Sequence, residues 1–178
     1  MAQGWCAIAL SRTAWLTDVT GYSATQDYPL GVVREVATDE DGTSSTSGGK
    51  FYRYVLNGDA IAFAAGNLIQ RKAATNSAGT GIVCVTTDVW EGKLLGVAVS
   101  AIPAGYYGWV QFKGHSSTLV TDGSVAAGDA LGSKGATTAG SVYTVDPTAS
   151  ATKLSAAFAY ALVDDSGTAL PGAILNIQ

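Results

Sequence analysis

The side chains that could do chemistry in this 178-residue chain are few and scattered. His115 is the sole histidine and stands in the run Gly114-His-Ser-Ser-Thr118. That run misses the Gly-x-Ser-x-Gly nucleophile elbow by one residue, because position 118 is Thr. A serine nucleophile also needs a separate histidine as base, and here the sole histidine would be its neighbour. The run therefore reads as a strand-end loop. Asp164 and Asp165 are adjacent, and Asp88 lies close to Glu91. Glycoside cleavage needs two carboxyl groups facing each other across a sugar. Neighbours on a strand point to opposite faces, so the 164/165 pair is expected in a turn. A carboxylate pair assembled from distant segments stays open.

Metal and nucleotide chemistry find no better footing. Asp39-Glu-Asp-Gly42 begins like a calcium loop but lacks the spaced third oxygen ligand and the closing Glu, and reads as a solvated acidic turn. Cys6, Cys84 and His115 offer no zinc spacing, and two cysteines make no disulfide scaffold. Cys84, inside GIVCVTT, reads as a small buried residue. Gly79-Thr-Gly81 precedes a strand rather than a helix, unlike a phosphate-cradling loop. No catalytic residue, cofactor or metal is expected, and the chain is read as a non-enzyme.

Composition narrows the partners. Charged residues are 13% of the chain, about half the usual share, and the net charge is −4. Without a basic run, nucleic-acid binding by electrostatics is not expected. No apolar segment approaches the ~18 residues that cross a bilayer. The start, MAQGWCAIALSRTAW, lacks a basic n-region and is interrupted by Arg12, which argues against a signal peptide. The expectation is a chain made and folded in a reducing cytoplasm.

The elements that must position these residues read as strands. Runs rich in Val, Ile and aromatics, bounded by Gly, Asp, Asn and Ser, fall at 31–36, 51–56, 61–63, 82–86, 94–102, 108–113, 142–145, 157–163 and 173–177. Asn57-Gly58 is a hairpin signal. In AFAYALV, from 157 to 163, Phe158, Tyr160 and Leu162 share one face and the alanines the other, which suits a strand packed on both sides. Alanine makes helix the competing reading, and the turn-like Asp164-Asp165 and Pro171-Gly172 favour the strand. Ala65-Gly66-Asn67, Ala104-Gly105-Tyr106 and Ala127-Gly128-Asp129 look like one strand-entry turn used three times, with glycine supplying a positive φ. Residues 39–50 read as a polar loop, and 133–141 as loop or edge strand. The predicted class is all-β: one barrel or sandwich, jelly-roll-like, over residues 30–178. An extended arm over 1–29 carries Trp5, Trp15, Tyr22 and Tyr28, with a short helix from a Ser11 cap to Val19 as one option for part of it.

The stretch IPAGYYGWVQFKG, from 102 to 114, concentrates the aromatic bulk. On a strand, Tyr107, Trp109, Gln111 and Lys113 share one face, and Gly108, Val110 and Phe112 share the core face. A bare Tyr–Trp pair in water is costly, so something must cover it. The candidates are the chain's own arm, a symmetry-related copy, or a sugar ring. Trp and Tyr are enriched at interfaces. Trp5, Trp15, Tyr28, Tyr107 and Trp109 are therefore the candidate interface with a partner or a sister subunit.

GVAVSAIPAGYYGWVQ from 96, VAAGDALG from 125 and AYALV from 159 together resemble the structural proteins of tailed-bacteriophage heads, and are similar to capsid decoration, or cement, proteins. The likeness spans roughly the C-terminal half. It implies a β-rich virion protein on the outer face of the capsid, often a homotrimer. Such a protein binds the major capsid protein and stabilises the shell by bridging capsomers. It transfers no catalytic residue. A carbohydrate-binding head fibre or tail component of the virion is the alternative. The arm has no counterpart in that pattern; its expected role, reaching capsid or a sister subunit, comes from composition.

Overall fold

The computed structural model describes residues 19–36, 49–72, 79–83, 94–133, 138–145, 157–165, 169–170 and 172–177. Trp5, Trp15, the helix option ending at Val19, the acidic turn at 39–42 and most of the 39–50 loop lie outside them, as do Cys84, Asp88 and Glu91. Among the described residues every regular element is a strand, so the all-β expectation holds. In chain order they are β1 (Tyr22–Ser23), β2 (Val33–Val36), β3 (Lys50–Asn57), β4 (Leu68–Arg71), β5 (Thr80–Val83), β6 (Leu94–Ala98), β7 (Tyr107–Ser116), β8 (Leu119–Val120), β9 (Ala130–Gly132), β10 (Tyr143–Thr144), β11 (Ala159–Ala161), β12 (Ala169–Leu170) and β13 (Ala173–Asn176).

Five of these close a barrel. β3 pairs antiparallel with β7, β7 with β6, β6 with β4 and β4 with β5, and β5 returns to β3 as a parallel pair. The barrel is filled by Val55, Phe63, Ile69, Val83, Leu95, Ala98, Ile102 and Val110. Each buried aliphatic or aromatic side chain of this kind contributes about 1.5–3 kcal/mol over exposure. Four further strands, β9, β10, β11 and β13, form a wing, while β1 pairs with β7, β2 with β3, and β8 with β12 in a separate two-stranded sheet. The far half of β7 carries β13, then β11, β9 and β10 in that order. The wing folds over the barrel, and Leu68, Leu94 and Val97 meet Leu119, Leu131, Val142, Phe158, Ala159 and Leu175 in a second core. Consecutive residues of β4 and β6 thus serve different cores: Leu68 and Leu94 face the wing, Ile69 and Leu95 the barrel interior. That is why these strands read as unbroken apolar runs.

One turn is used repeatedly. At 29–32, 64–67, 103–106, 126–129 and 138–141 the fourth residue's N–H donates to the first residue's carbonyl, at 3.2, 3.1, 3.1, 3.0 and 3.3 Å. The third residue is always glycine, at φ between 78° and 89° (Gly31, Gly66, Gly105, Gly128, Gly140), as a type II turn requires. In three of them the closing side chain fastens the turn: Ala64 N–H donates to Asn67 Oδ1 at 2.8 Å, Ala126 N–H to Asp129 Oδ2 at 2.9 Å, and the Ser141 hydroxyl to Thr138 O at 2.6 Å. The glycine N–H of the first four turns then donates to a neighbouring strand, at Tyr54, Ala98, Asn57 and Ala161. Each turn so sets the register of the strand it introduces.

Several boundaries differ from expectation. The 61–63 run keeps only an isolated bridge, Phe63 to Ile102, because the following turn takes up the chain. Gly114 to Ser116 lie inside β7 rather than in a strand-end loop, since β13 pairs with them there. Asn57-Gly58 closes no two-residue hairpin. Asn57 is buried and its amide donates to the carbonyls of Ile61 (2.9 Å) and Ile102 (2.8 Å).

Candidate binding surfaces

The residues weighed for chemistry are placed as follows. Asp164 Oδ1 accepts from Ala127 N–H at 2.8 Å, and Asp165 Oδ2 accepts from Thr121 Oγ1 at 2.7 Å. Neither lies in a turn of its own, contrary to expectation: Asp165 forms a β-bridge with Val125, and Asp164 braces the 126–129 turn from outside it. His115 is half-buried on β7 beside Gly172. Ser116 is buried, with its hydroxyl donating to Thr118 O at 2.9 Å. Among the described residues no group of three or more His, Cys, Asp or Glu is placed to hold a metal ion.

The strand alternation of β7 holds for its first half, but Phe112 is only half-buried, against the wing core, and Gln111 on the other face is buried. Val110 enters the barrel core, while Trp109 and Tyr107 point outward. There they join Tyr54 of β3: Tyr54 stacks on Tyr107 with centroids 6.1 Å apart, and tilts against Trp109 at 5.1 Å. The cover comes from the chain itself. Residues 19–36 cross this face, β1 pairing with Tyr107 and Gly108 and β2 with the start of β3. Tyr28 lies edge-on to Tyr54 at 5.3 Å and tilted to Trp109 at 5.4 Å, and the Arg34 guanidinium sits 5.8 Å from the Trp109 ring centre. Trp109 is left 3% exposed and Tyr54 2%. Three of the candidate interface residues, Tyr28, Tyr107 and Trp109, are thus brought together, and Trp109 is sealed by the first of the three candidate covers.

The cover leaves a hollow of about 40 Å³. Gly21, Tyr22, Ser23, Asp27, Tyr28, Tyr54 and Trp109 line it. Asp27 N–H donates to the Tyr54 hydroxyl oxygen at 3.2 Å. Burial pushes the Tyr54 phenol above its ordinary value; the Asp27 N–H bond opposes this, and the Asp27 charge adds to it. At the other end of the barrel, Arg53 lies 4.7 Å over Phe112 and Lys113 5.2 Å over Phe51. Burial, then the charge of Arg71, holds the Arg53 guanidinium below its ordinary value.

A second surface was not foreseen. In β11 the alanines are the buried residues, Ala159 at 0% and Ala161 at 2%, while Tyr160 is 56% exposed and Leu162, just beyond, 46%. The expectation of a strand packed on both sides is corrected: only the small face is packed, with Ala159 and Ala161 in the core shared with the barrel's Leu68, Leu94 and Val97. Phe158 is buried, but it precedes the strand. Register extends the outer face across the wing, with Tyr160 opposite Ile174 and Ile174 opposite His115. Leu162 and Val163, both exposed, lie beside the buried Gly172. The signal for this face was present in AFAYALV; its direction was not.

Comparison with protein-family models gives no match, and comparison with curated proteins gives none. Among solved structures, the chain is similar to the head fiber gp8.5 N base of bacteriophage phi29, at 13% identity and a TM-score of 0.46. That likeness covers 71% of this chain and 94% of the other. An overlap this partial carries no inference about what the chain does.

Proposed function

We propose that the chain is a structural protein of a tailed-phage virion, held on the outer face of the head, where it binds the major capsid protein and bridges capsomers. The outer face of its wing is where it meets sister copies, as a trimer. The observation that carries this reading is the inverted burial of β11: alanines inside, Tyr160 and Leu162 outside. A chain selected only to fold would bury the larger side chains. The occupant is assigned as a second copy on charge. Tyr160, Leu162, Val163 and Ile174 carry none, so copies of a −4 chain can meet there without like-charge repulsion. Cyclic association multiplies a modest contact, and several attachment points per assembly raise its hold on the shell. The resemblance of the 96–163 motifs to decoration proteins supports the same reading.

The test is the mass of the purified chain by light scattering, followed by its occupancy on undecorated phage heads. A three-chain mass and saturable head binding are expected, with Tyr160→Ser/Leu162→Ser reducing the mass to one chain. A monomer that still saturates heads would overturn the sister-copy assignment. Failure to bind any head would overturn the virion reading.

A further inference from the structure

We infer that the hollow beside Tyr22 and Tyr28 is a binding site for a neutral sugar, which inserts one hydroxyl group between Asp27 and Tyr54. The site is separate from the wing face and does not depend on the assembly proposed for it. Its floor is the Tyr54 hydroxyl, on a side chain 98% buried by its 2% exposure. That oxygen accepts from Asp27 N–H, and its own proton finds no acceptor among the described residues. A buried donor without a partner is costly and is met by ligand or water. At the rim stands the exposed Asp27 carboxylate. Its Oδ1 takes only a long bond, 3.4 Å, from Thr25, and Oδ2 has no partner among the described residues.

The ligand class follows from that pair. The hollow presents one donor and one anionic acceptor. An anion would be repelled by Asp27, and a cation would leave the Tyr54 proton unused. A hydroxyl donates and accepts at once and satisfies both. The remaining wall suits the rest of a sugar. Tyr22 is 55% exposed, braced edge-on by Tyr106 at 5.7 Å, so its ring offers an open surface for the C–H face of a pyranose. Tyr28, 37% exposed, forms the opposite lip. A volume near 40 Å³ admits a hydroxyl, not a whole ring, so the sugar lies across the mouth. Affinity per site is then weak, roughly millimolar.

The full chain, screened on an array of neutral and charged glycans, is expected to bind a neutral one; calorimetric titration with that glycan then measures the site. Tyr54→Phe removes the hydroxyl, both the buried donor and the acceptor of Asp27 N–H, and is expected to weaken binding about tenfold. Asp27→Asn, at an exposed position, keeps the fold and is expected to weaken it several-fold, which preserves the test should Tyr54→Phe fail to fold. Undiminished binding by a folded Tyr54→Phe or by Asp27→Asn overturns the assignment. So does binding of no neutral glycan, or a preference for tetramethylammonium over every sugar, which would make the hollow a cation cage.

Discussion

The outward face of β3 and β7 and the outward face of β11 and β13 carry the same kind of side chain and meet opposite fates. Tyr54 and Trp109 on the first are sealed to 2% and 3% exposure by residues 19–36. Tyr160 and Leu162 on the second remain at 56% and 46%. The chain therefore has the means to cover an aromatic face and uses them on one side only. The difference separates stability from assembly: the covered face belongs to the fold, and the open one is free to serve a partner.

Substitutions can break that contrast. Trp109→Ala should cost the most, about 3–5 kcal/mol by chemical denaturation, because a sealed indole leaves a cavity. Gly114→Ala comes next. Its φ is +93°, and a Cβ would fall 2.7 Å from the Gly49 carbonyl oxygen. Backbone strain and overpacking together should cost about 2–4 kcal/mol, with the denaturant slope unchanged. The position lies where β7 leaves β3 and takes on β13, so both faces should loosen together. By contrast, Tyr160→Ser should change the stability of a single chain by no more than about 0.5 kcal/mol, as an exposed side chain does. A loss comparable to Trp109→Ala would mean that the open face is covered after all. The smallest effect is a pH dependence. The Tyr54 phenol is raised when folded, so its contribution is complete below the unfolded value near 10 and fades as pH climbs through the folded one. Tyr54→Phe should remove that alkaline component of the unfolding curve.

Much of this was legible in the residues. Alternation placed Val110 and Trp109 on opposite faces of β7, and the Ala-Gly turns at 66, 105 and 128 were visible because glycine must supply their positive φ. The related turns at Gly31 and Gly140 were missed: one lacks the Ala-Gly pair, and the other sits in a stretch too polar to resolve into loop or strand. What alternation cannot reveal is which face is packed. A period of two fixes that Ala159 and Tyr160 point apart, and hydropathy then favours burying the tyrosine. The packing reverses that choice: it is Ala159 and Ala161 that enter the core shared with Leu68, Leu94 and Val97. Nor could local pattern show that Tyr28 would seal Trp109, a contact closed by β1 and β2 far back in the chain. The hollow was hidden for the same reason: its donor, acceptor and platform come from β3, the 24–32 stretch and β1.

β7 is held in common by the barrel and the wing, and the order of the chain gives that sharing a direction in time. All five barrel strands lie between residues 50 and 116, and every wing strand beyond β7 follows them. As the chain is synthesised the barrel can close once β7 has emerged, before β13 exists. The far end of β7 then stands as an unpaired edge, and β13 docks on it to seed β11, β9 and β10. Growth by accretion on a finished edge would make the outer face of the wing, the one proposed to meet sister copies, form only after the barrel core is complete.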